Sequence, residues 1–361
     1  MITVNRAADI HPVDFGPGQL PAVNFRHISN LTDDTGIIQH AIFGIPNRKE
    51  GYCIDDNARA LLLMVFAAKD KKNRAAIRLL PVYLSFIHYM QTGNGHFRNF
   101  LSYSKISHEE YGSEDSFGRT LMALGYLVNE GPSGLLIKTA AEIYSKASHH
   151  IGNLVSLRGM ANAIIGVCQF IKYNYPDDLK KEQVISLSGK IVSLYNENKE
   201  ENWHWFEPVL TYDNAILPLA LLNAYEITQQ EIYLEIALES MQFLESKVFH
   251  DGIVSPVGNQ GWCKKGGPVA PFDQQGIDVM AMILFYQQAF SVTNNREYLS
   301  RMFQSYQWFL GRNDLGVALY DPATGGCADG LHSEGVNLNQ GAESTLAYWI
   351  SHVAVAGTLQ L

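Results

Sequence analysis

The sequence has few cysteines, little charge and no long apolar run. Its 361 residues include only Cys53, Cys168, Cys263 and Cys327, and no two of these have the spacing of a zinc ribbon or a redox pair. We therefore expect free thiols in a reducing compartment. No apolar run reaches the length of a membrane span, and the first residues do not resemble an export signal. The expected location is the cytoplasm, or the periplasm if an export signal has been trimmed.

Basic residues are also fewer than acidic ones, with 27 Lys and Arg against 36 Asp and Glu, so the net charge is −9. Nucleic acids and anionic membranes require a basic surface, so neither is expected as a partner. The chain has no phosphate-binding Walker loop, no dinucleotide-binding glycine pattern, no Gly-x-Ser-x-Gly elbow and no metal-ligand spacing. We therefore expect no cofactor and no metal. Hydrophobic residues make up 47% of the chain, which is enough for one large core.

Helical periodicity dominates what is present. Five stretches have one apolar face and one charged face, as helices on the outside of a core do. They are residues 73–92, 134–151, 179–198, 231–249 and 296–311. Six other segments alternate with them, and each opens with a polar group and continues with small and apolar residues on every face. These segments begin at Ile54, Ser113, Ser156, Thr211, Phe272 and Asn339.

A segment that is apolar on all faces is buried on all sides, so the six segments predict inner helices. Their starts recur at about the length of one helical hairpin, and six hairpins can close into a ring. The last segment ends in an apolar tail, whereas an open solenoid needs polar end units. The sequence therefore predicts an all-α fold, an (α/α)6 toroid over residues 30–361, preceded by an extended arm over 1–29. An open solenoid or irregular bundle is the alternative. One β-hairpin is expected around 251–262.

The polar residues of the inner segments lie at their N-terminal ends, where the long loops also arrive. Parallel inner helices would bring these ends together at one mouth, and helix N-termini favour anions. Each single acid there could be an N-cap, but the segments supply more carboxyl groups than capping needs. The acids are Asp55 with Asp56, Glu114 with Asp115, Glu207 with Asp213, Asp273 with Asp278, and Glu334 with Glu343.

Aromatic residues accompany these acids. Sugar rings can stack on aromatic faces while their hydroxyls bind carboxylates and amides. The aromatic residues are Tyr52, Trp203, Trp205, Phe206, Tyr212, Trp262 and Trp349. Core packing is the alternative for each, and it is favoured for Trp349, which lies inside a helix.

Cleavage of a glycosidic bond needs a proton donor and a carboxylate. Asp56 and Asp115 are the first candidates, because each follows another acid and lies one turn before Arg59 or Arg119. A neighbouring acid raises a pKa and an arginine lowers it, which can give two acids different roles. An ordinary capping network is the alternative.

Two further acids are candidate catalysts. Glu207 lies among aromatic residues that could raise its pKa by desolvation, and Glu343 lies at the start of the last inner segment. The residues expected to bind substrate are Asp55, Tyr52, Arg59, Glu114, Arg119, Trp203, His204, Trp205, Tyr212, Asp213, Trp262, Asp278, His332, Glu334 and Gln340.

Histidines support a different chemistry. His204, His250 and His332 lie near the same loops, and sugar epimerases abstract a proton beside a carbonyl with histidines as acid and base. A single histidine in a loop is more often structural or simply exposed.

Several motifs resemble a known family. LTDDTGIIQHA from Leu31 and GYCIDDNARALLLM from Gly51, with EDSFGR, WFEPVLTYDNA, DQQGIDV and NQGAEST further on, resemble the helical region of bacterial glycosyltransferase-like proteins. That region occurs alone or behind a glycosyltransferase domain, and the resemblance covers the chain from about residue 30. It implies association with a glycosyltransferase or a glycoside phosphorylase, and a non-catalytic glycan-binding module as one further function. The chain lacks the α/β nucleotide-sugar domain of such transferases.

The predicted fold is similar to that of two enzyme classes. In six-hairpin glycosidases, including unsaturated glucuronyl hydrolases, acids at inner-helix starts are catalytic, as proposed for Asp56 and Asp115. The N-acylglucosamine 2-epimerase class implies the histidine chemistry instead. The first hypothesis is a glycosidase acting on an oligosaccharide with mannose or glucose units.

Overall fold

The computed structural model describes residues 20–107, 109–173 and 176–359. The α-helices are, in chain order, α1 (Arg26–Leu31), α2 (Ile54–Ala67), α3 (Arg74–Met90), α4 (Glu114–Glu130), α5 (Gly134–Ala147), α6 (Leu157–Tyr173), α7 (Asp178–Asn198), α8 (Ile216–Thr228), α9 (Glu231–Val248), α10 (Gly276–Thr293), α11 (Glu297–Gln307) and α12 (Ala342–Thr358). Two 3-10 turns, Ser148–Asn153 and Trp308–Leu310, extend α5 and α11. None of the helices in these ranges is both long and apolar enough to span a membrane.

The even-numbered helices form a closed inner ring. They pack in the order α2, α4, α6, α8, α10 and α12, and α12 packs back against α2. Every residue of α6 from 158 to 171 is buried, as its all-round apolar pattern predicts. The closed ring confirms the predicted all-α (α/α)6 toroid and excludes the open solenoid.

Glycines allow α4 and α6 to approach each other very closely. A Cβ added to Gly118 would overlap the carbonyl oxygen of Gly159, and one added to Gly166 would lie 2.5 Å from the carbonyl oxygen of Leu121. Gly159 and Gly166 are two helical turns apart and therefore lie on one face of α6. The backbones of α4 and α6 are in direct contact, which brings their N-terminal ends together.

The odd-numbered helices cover the ring. The helices α3, α5, α7, α9 and α11 each pack on the inner helix before them, and their ends lie within a few residues of the predicted ones. The short helix α1 packs against α12 as the sixth outer element, with Ile28 and Leu31 buried. The sequence predicted an extended arm up to residue 29, but the chain is helical from Arg26 onward. The prediction missed this helix because six residues are too few to show a helical periodicity. The rest of that arm, up to residue 19, lies outside the described residues, and the domain division stays a prediction.

The strands of the described residues lie in the loops that lead from an outer helix to the next inner helix. They are β1 (Ala41–Ile42), β2 (Ile45–Pro46), β3 (Tyr52–Cys53), β4 (Phe100–Leu101), β5 (Val209–Leu210), β6 (Phe249–His250), β7 (Ile253–Val254), β8 (Cys263–Lys264), β9 (Tyr320–Asp321), β10 (Gly326–Cys327), β11 (Gly330–His332) and β12 (Gly335–Asn337). The pairs β3–β4 and β5–β8 join neighbouring loops, whereas the other pairs are hairpins within one loop. The long loops thus gather at the N-terminal ends of the inner helices.

The predicted hairpin is present, although it covers residues 249–254 and not 251–262. Strands β6 and β7 pair across Asp251 and Gly252, which both have positive φ angles. Asp-Gly is a preferred sequence for such a two-residue turn, because its backbone twist matches that of the strands.

Candidate active site

Helix capping leaves two predicted catalytic acids free for other contacts. The N-cap of α2 is Cys53, whose Sγ accepts from the backbone N–H of Asp56 at 3.4 Å. The N-cap of α4 is Ser113, whose hydroxyl oxygen accepts from the backbone N–H of Ser116 at 3.1 Å. Asp56 and Asp115 therefore lie inside the first turns of their helices. Capping does not explain their side chains.

Arg59 connects the starts of α2 and α12. Its Nη1 donates to Asp56 Oδ1 at 3.1 Å, and its Nη2 lies 2.9 Å from Glu343 Oε2. The other oxygen of Asp56 accepts from the Cys53 thiol at 3.0 Å. Burial raises the pKa of Asp56 to about 6, although the charge of Arg59 opposes this shift. Asp56 can therefore carry a proton close to neutral pH, while the Glu343 side chain is 46% exposed at the opening.

Arg119 connects α4 with α2 and with the loop before α8. It donates to Asp55 and, at 3.2 Å, to Asp213 Oδ2. Asp213 is 2% exposed, its φ angle is 49°, and its Oδ1 has no hydrogen-bond partner within the described chain. Burial raises the pKa of Asp213, and the charge of Arg119 acts against that. A left-handed backbone at a non-glycine residue costs about 1–3 kcal/mol, and such strain is concentrated at functional sites.

Arg158 is an important residue that the sequence analysis did not include among the candidates. Its guanidinium donates to Glu207 Oε2 at 2.9 Å, to Thr211 Oγ1 at 2.7 Å and to the carbonyl oxygen of Tyr212 at 2.7 Å. It also lies 4.6 Å from the centroid of the Tyr212 ring. The available signal was its position, since it is a charged residue at the start of an otherwise apolar inner segment.

Asp115 connects the starts of α4 and α6 with the loop before α8. Its two carboxylate oxygens accept from the hydroxyls of Ser156 and Tyr212. The Tyr212 ring is partly exposed, and its centroid lies 6.4 Å from that of Trp262. These residues form a wall that places two aromatic rings next to a carboxylate.

Asp278, in the first turn of α10, lies beside the loop before α8. Its Oδ1 is 3.4 Å from Asn214 Nδ2 and 3.5 Å from the backbone nitrogen of Asn214. Burial raises the pKa of Asp278 to about 8, and the nearby charge of Asp213 contributes to the shift. At neutral pH Asp278 therefore holds a proton, next to a carboxyl group paired with Arg119.

The starts of all six inner helices thus meet in one network. Three guanidinium groups, those of Arg59, Arg119 and Arg158, face seven carboxyl groups there. The carboxyl groups belong to Asp55, Asp56, Asp115, Glu207, Asp213, Asp278 and Glu343. We call these ten residues the acidic mouth. It places proton donors beside proton acceptors, which is the requirement for general acid–base chemistry.

The opposite end of the barrel holds a cavity of ≈1130 Å³. It lies among the C-terminal ends of the inner helices, with Phe66, Asn129, Gln169 and Lys172 in its lining. None of the seven carboxyl groups of the acidic mouth lines it. We place the candidate active site at the acidic mouth because two carboxyl groups with pKa values raised to about 6 and about 8 lie there together with the left-handed Asp213. In the described ranges, no three His, Cys, Asp or Glu side chains are grouped so that they could hold a metal ion.

Trp203 and Trp205 do not line the mouth, contrary to the sequence prediction. Both rings are buried against Phe243 of α9, with centroid distances of 5.0 and 6.3 Å. Burying a large aromatic ring against the outer helix is favourable, and it leaves no face for a sugar. Phe206 is buried in the same way, and Trp349 is a core residue, as expected.

His204 and Tyr52 also bind partners outside the acidic mouth. His204 Nδ1 lies 2.7 Å from Glu239 Oε1 on α9, so the imidazole faces the outer helices. The Tyr52 hydroxyl donates to Asp33 Oδ2 at 2.5 Å. Both residues were predicted to bind substrate, and the contacts found for them lie outside the acidic mouth, so their role in binding stays a prediction.

Four more predicted residues position loops or lie on a hairpin. Glu114 Oε2 accepts from two backbone N–H groups just before α6, and the Gln340 amide bonds to the loop 321–324. Both side chains thus position loops, and their predicted binding of substrate stays a prediction. His332 and Glu334 lie on the β11–β12 hairpin, which pairs with the loop before α10. This hairpin is on the same side of the barrel as the acidic mouth, and Glu334 is exposed.

No protein-family model matches the sequence, and no curated protein matches it either. Several solved structures have a similar fold. Cellobiose 2-epimerase from Bacillus thermoamylovorans has a TM-score of 0.72 at 10% identity, covering 93% of this chain and 95% of its own. A D-mannose isomerase has a TM-score of 0.64 at 12% identity, covering 92% and 96%. The GH76A alpha-1,6-mannanase from Salegentibacter sp. has a TM-score of 0.63 at 11% identity, also covering 92% and 96%. At these identities the likeness shows the fold.

Proposed function

We propose that this protein is a glycoside hydrolase that cleaves an oligosaccharide in the acidic mouth. One observation carries the proposal: seven carboxyl groups meet there, and two of them have pKa values raised to about 6 and about 8. Glycosidic cleavage needs a carboxylic acid that protonates the leaving oxygen and a carboxylate that attacks the sugar or activates water. The acidic mouth offers both forms side by side near neutral pH.

Asp56 is the proposed general acid, because its raised pKa lets it hold a proton that it can donate. Asp115 is the proposed carboxylate. The hydroxyls of Ser156 and Tyr212 both donate to it and fix its orientation. The leaving oxygen takes the proton from Asp56, the oxygen of one water bonds to the anomeric carbon in its place, and the proton that this water releases restores the acid.

Glu343 and Glu207 are further candidates for the carboxylate role. Each is paired with one arginine, at 2.9 Å in both cases, and each is partly exposed to the mouth. Arg59 contacts both Asp56 and Glu343, so it can hold a proton donor and a carboxylate at a fixed separation. Tyr212 and Trp262 would stack on the sugar.

The test is turnover of neutral gluco- and manno-oligosaccharides by Asp56→Asn and Asp115→Asn. We expect each variant to lose about 10²-fold or more in kcat while it still folds and binds sugar, since general acid–base groups contribute rates of this size. Glu245→Gln is the matched control. Glu245 also has a raised pKa, but it lies on the outer helix α9 and accepts a hydrogen bond from Tyr286 of α10, away from the acidic mouth. Wild-type turnover by both aspartate variants would refute the assignment.

The epimerase chemistry ranks second. It depends on histidines. His204 is bonded to Glu239 on an outer helix, and His250 lies 3.1 Å from the carbonyl oxygen of Lys247 at the end of α9, which leaves His332 on the β11–β12 hairpin. Epimerisation would place solvent deuterium in the recovered sugar and would be sensitive to His332→Ala, whereas hydrolysis would do neither. A non-catalytic glycan-binding module would bind sugar and give no product.

The resemblance to glycosyltransferase-like proteins supports a functional association with a glycosyltransferase or a glycoside phosphorylase. The four free cysteines support a second proposal, a cytoplasmic location, because free thiols fit a reducing compartment. Co-purification of such an enzyme with the protein, followed by measurement of its product chain lengths, would test the first of them.

A further inference from the structure

Asp213 has an acceptor that nothing in the described chain satisfies. Its Oδ2 is bonded to Arg119, whereas its Oδ1 is buried and has no partner. A buried carboxylate oxygen without a hydrogen bond is costly, and the left-handed backbone of Asp213 adds to the cost. Both costs at one residue indicate that a donor from outside the chain completes the site.

Asp278 supplies the complementary group. It lies close enough to Asp213 for the two charges to affect each other, and its raised pKa keeps it protonated at neutral pH. Its contacts with Asn214 are long, at 3.4 and 3.5 Å, and are therefore weak. A protonated carboxyl donates one hydrogen bond, and the free Oδ1 of Asp213 accepts one.

We propose that Asp213 and Asp278 form a hydroxyl-binding pair at the floor of the acidic mouth, and that the mouth admits neutral sugars and rejects anionic ones. A sugar hydroxyl can donate to Asp213 Oδ1 and accept from Asp278 at the same time. An ammonium group could satisfy only Asp213, and a carbonyl oxygen only Asp278. This inference rests on the proposed function for its choice of sugars as ligands.

The charge of the acidic mouth is the reason that we expect it to reject anionic sugars. Each arginine already holds at least one carboxylate: Arg59 binds Asp56 and Glu343, Arg119 binds Asp55 and Asp213, and Arg158 binds Glu207. No guanidinium of the mouth is therefore free to neutralise a uronate or a phosphate. The seven carboxyl groups of the mouth outnumber its three guanidinium groups, so the mouth keeps a net negative charge that repels an anion that enters.

The experiment is calorimetric titration of cellobiose and of α-1,6-mannobiose into the full-length protein at pH 7. Asp278→Ala removes the donor, and we expect the better of the two sugars to bind about tenfold more weakly or worse. Asp278→Asn keeps an N–H donor and should restore binding. It should also keep its affinity at pH 9, where the wild type weakens because Asp278 loses its proton above about pH 8. Rescue at pH 7 alone would also fit a structural role, since asparagine can still accept from Asn214, whereas stronger binding by Asp278→Asn than by the wild type at pH 9 would not.

The control is Glu226→Gln. Glu226 lies near the C-terminal end of α8, at the other end of the barrel from the acidic mouth, where it pairs with Lys172. Its sugar binding should equal that of the wild type.

Cellobiouronic acid should bind at least about tenfold more weakly than cellobiose, with a difference that shrinks as salt is added. Equal or tighter binding of the uronate, undiminished binding by Asp278→Ala, or no binding of either neutral sugar would overturn the inference. Asp278-dependent binding without cleavage would refute only the proposed hydrolysis, and cleavage without this dependence would refute only the hydroxyl pair.

Discussion

The contact between α4 and α6 predicts opposite effects for two glycine-to-alanine substitutions. In an isolated helix, alanine is favoured over glycine by about 1 kcal/mol, so propensity alone predicts that Gly166→Ala stabilises the protein. The structure predicts the reverse. The added Cβ would lie 2.5 Å from the Leu121 carbonyl oxygen and 2.8 Å from the Met122 nitrogen, and these are backbone atoms that cannot rotate away.

Overpacking of this kind costs about 1–3 kcal/mol, and the rigid neighbour places Gly166→Ala in the upper part of that range. After the gain in propensity, we expect a net loss of about 1–2 kcal/mol in the free energy of unfolding. Gly189→Ala is the matched control, because Gly189 is also inside a helix, α7, but nothing lies within 4 Å of its Cβ position. That variant should gain about 1 kcal/mol.

Urea denaturation, monitored by far-ultraviolet circular dichroism, measures the change in the free energy of unfolding for both variants. The midpoint should fall for Gly166→Ala and rise for Gly189→Ala, with similar slopes. If Gly166→Ala raised the midpoint as Gly189→Ala does, the two inner helices could not be in backbone contact.

Three further predictions concern ionisable groups. If Asp56 is the general acid, kcat/KM should fall as pH rises above about 6, and a profile that stays flat through this region would exclude the role. Burial lowers the pKa of His352 to about 4 from 6.5, so below pH 6.5 only the unfolded state takes up the proton. Stability should therefore fall by up to about 3 kcal/mol between pH 6.5 and 4, and His352→Phe should remove this slope in thermal melting. Arg158→Lys cannot keep three hydrogen bonds from one fork, so it should release Glu207 and weaken sugar binding by calorimetry; unchanged binding would contradict the role of Arg158.

The starts of the inner helices were predictable to within a few residues where the local sequence decides them. The segment predicted from Ile54 is α2, and Ser113 is the N-cap of α4. The segment predicted from Thr211 becomes helical only at Ile216. Asp213 adopts a left-handed backbone there, which hydrophobic periodicity cannot reveal.

The members of the candidate site were predictable by type and position, but their partners were not. An acid in the first turn of an apolar helix is visible in the sequence, as Asp56 and Asp115 show. The contact of Arg59 with Glu343 joins the first and last inner helices, and only closure of the ring brings them together. The same holds for Arg158, whose role depends on a loop that folds back over it.

The sequence by itself determined the burial pattern of this protein, because a helix that is apolar on every face is stable in water only when other parts of the protein surround it. It also determined that carboxyl groups concentrate at the inner-helix starts. Only the tertiary structure decided the direction of side chains in the long loops. Trp205 turned into the core while Tyr212 stayed at the mouth, since packing against distant helices, and not local periodicity, sets where a loop side chain points.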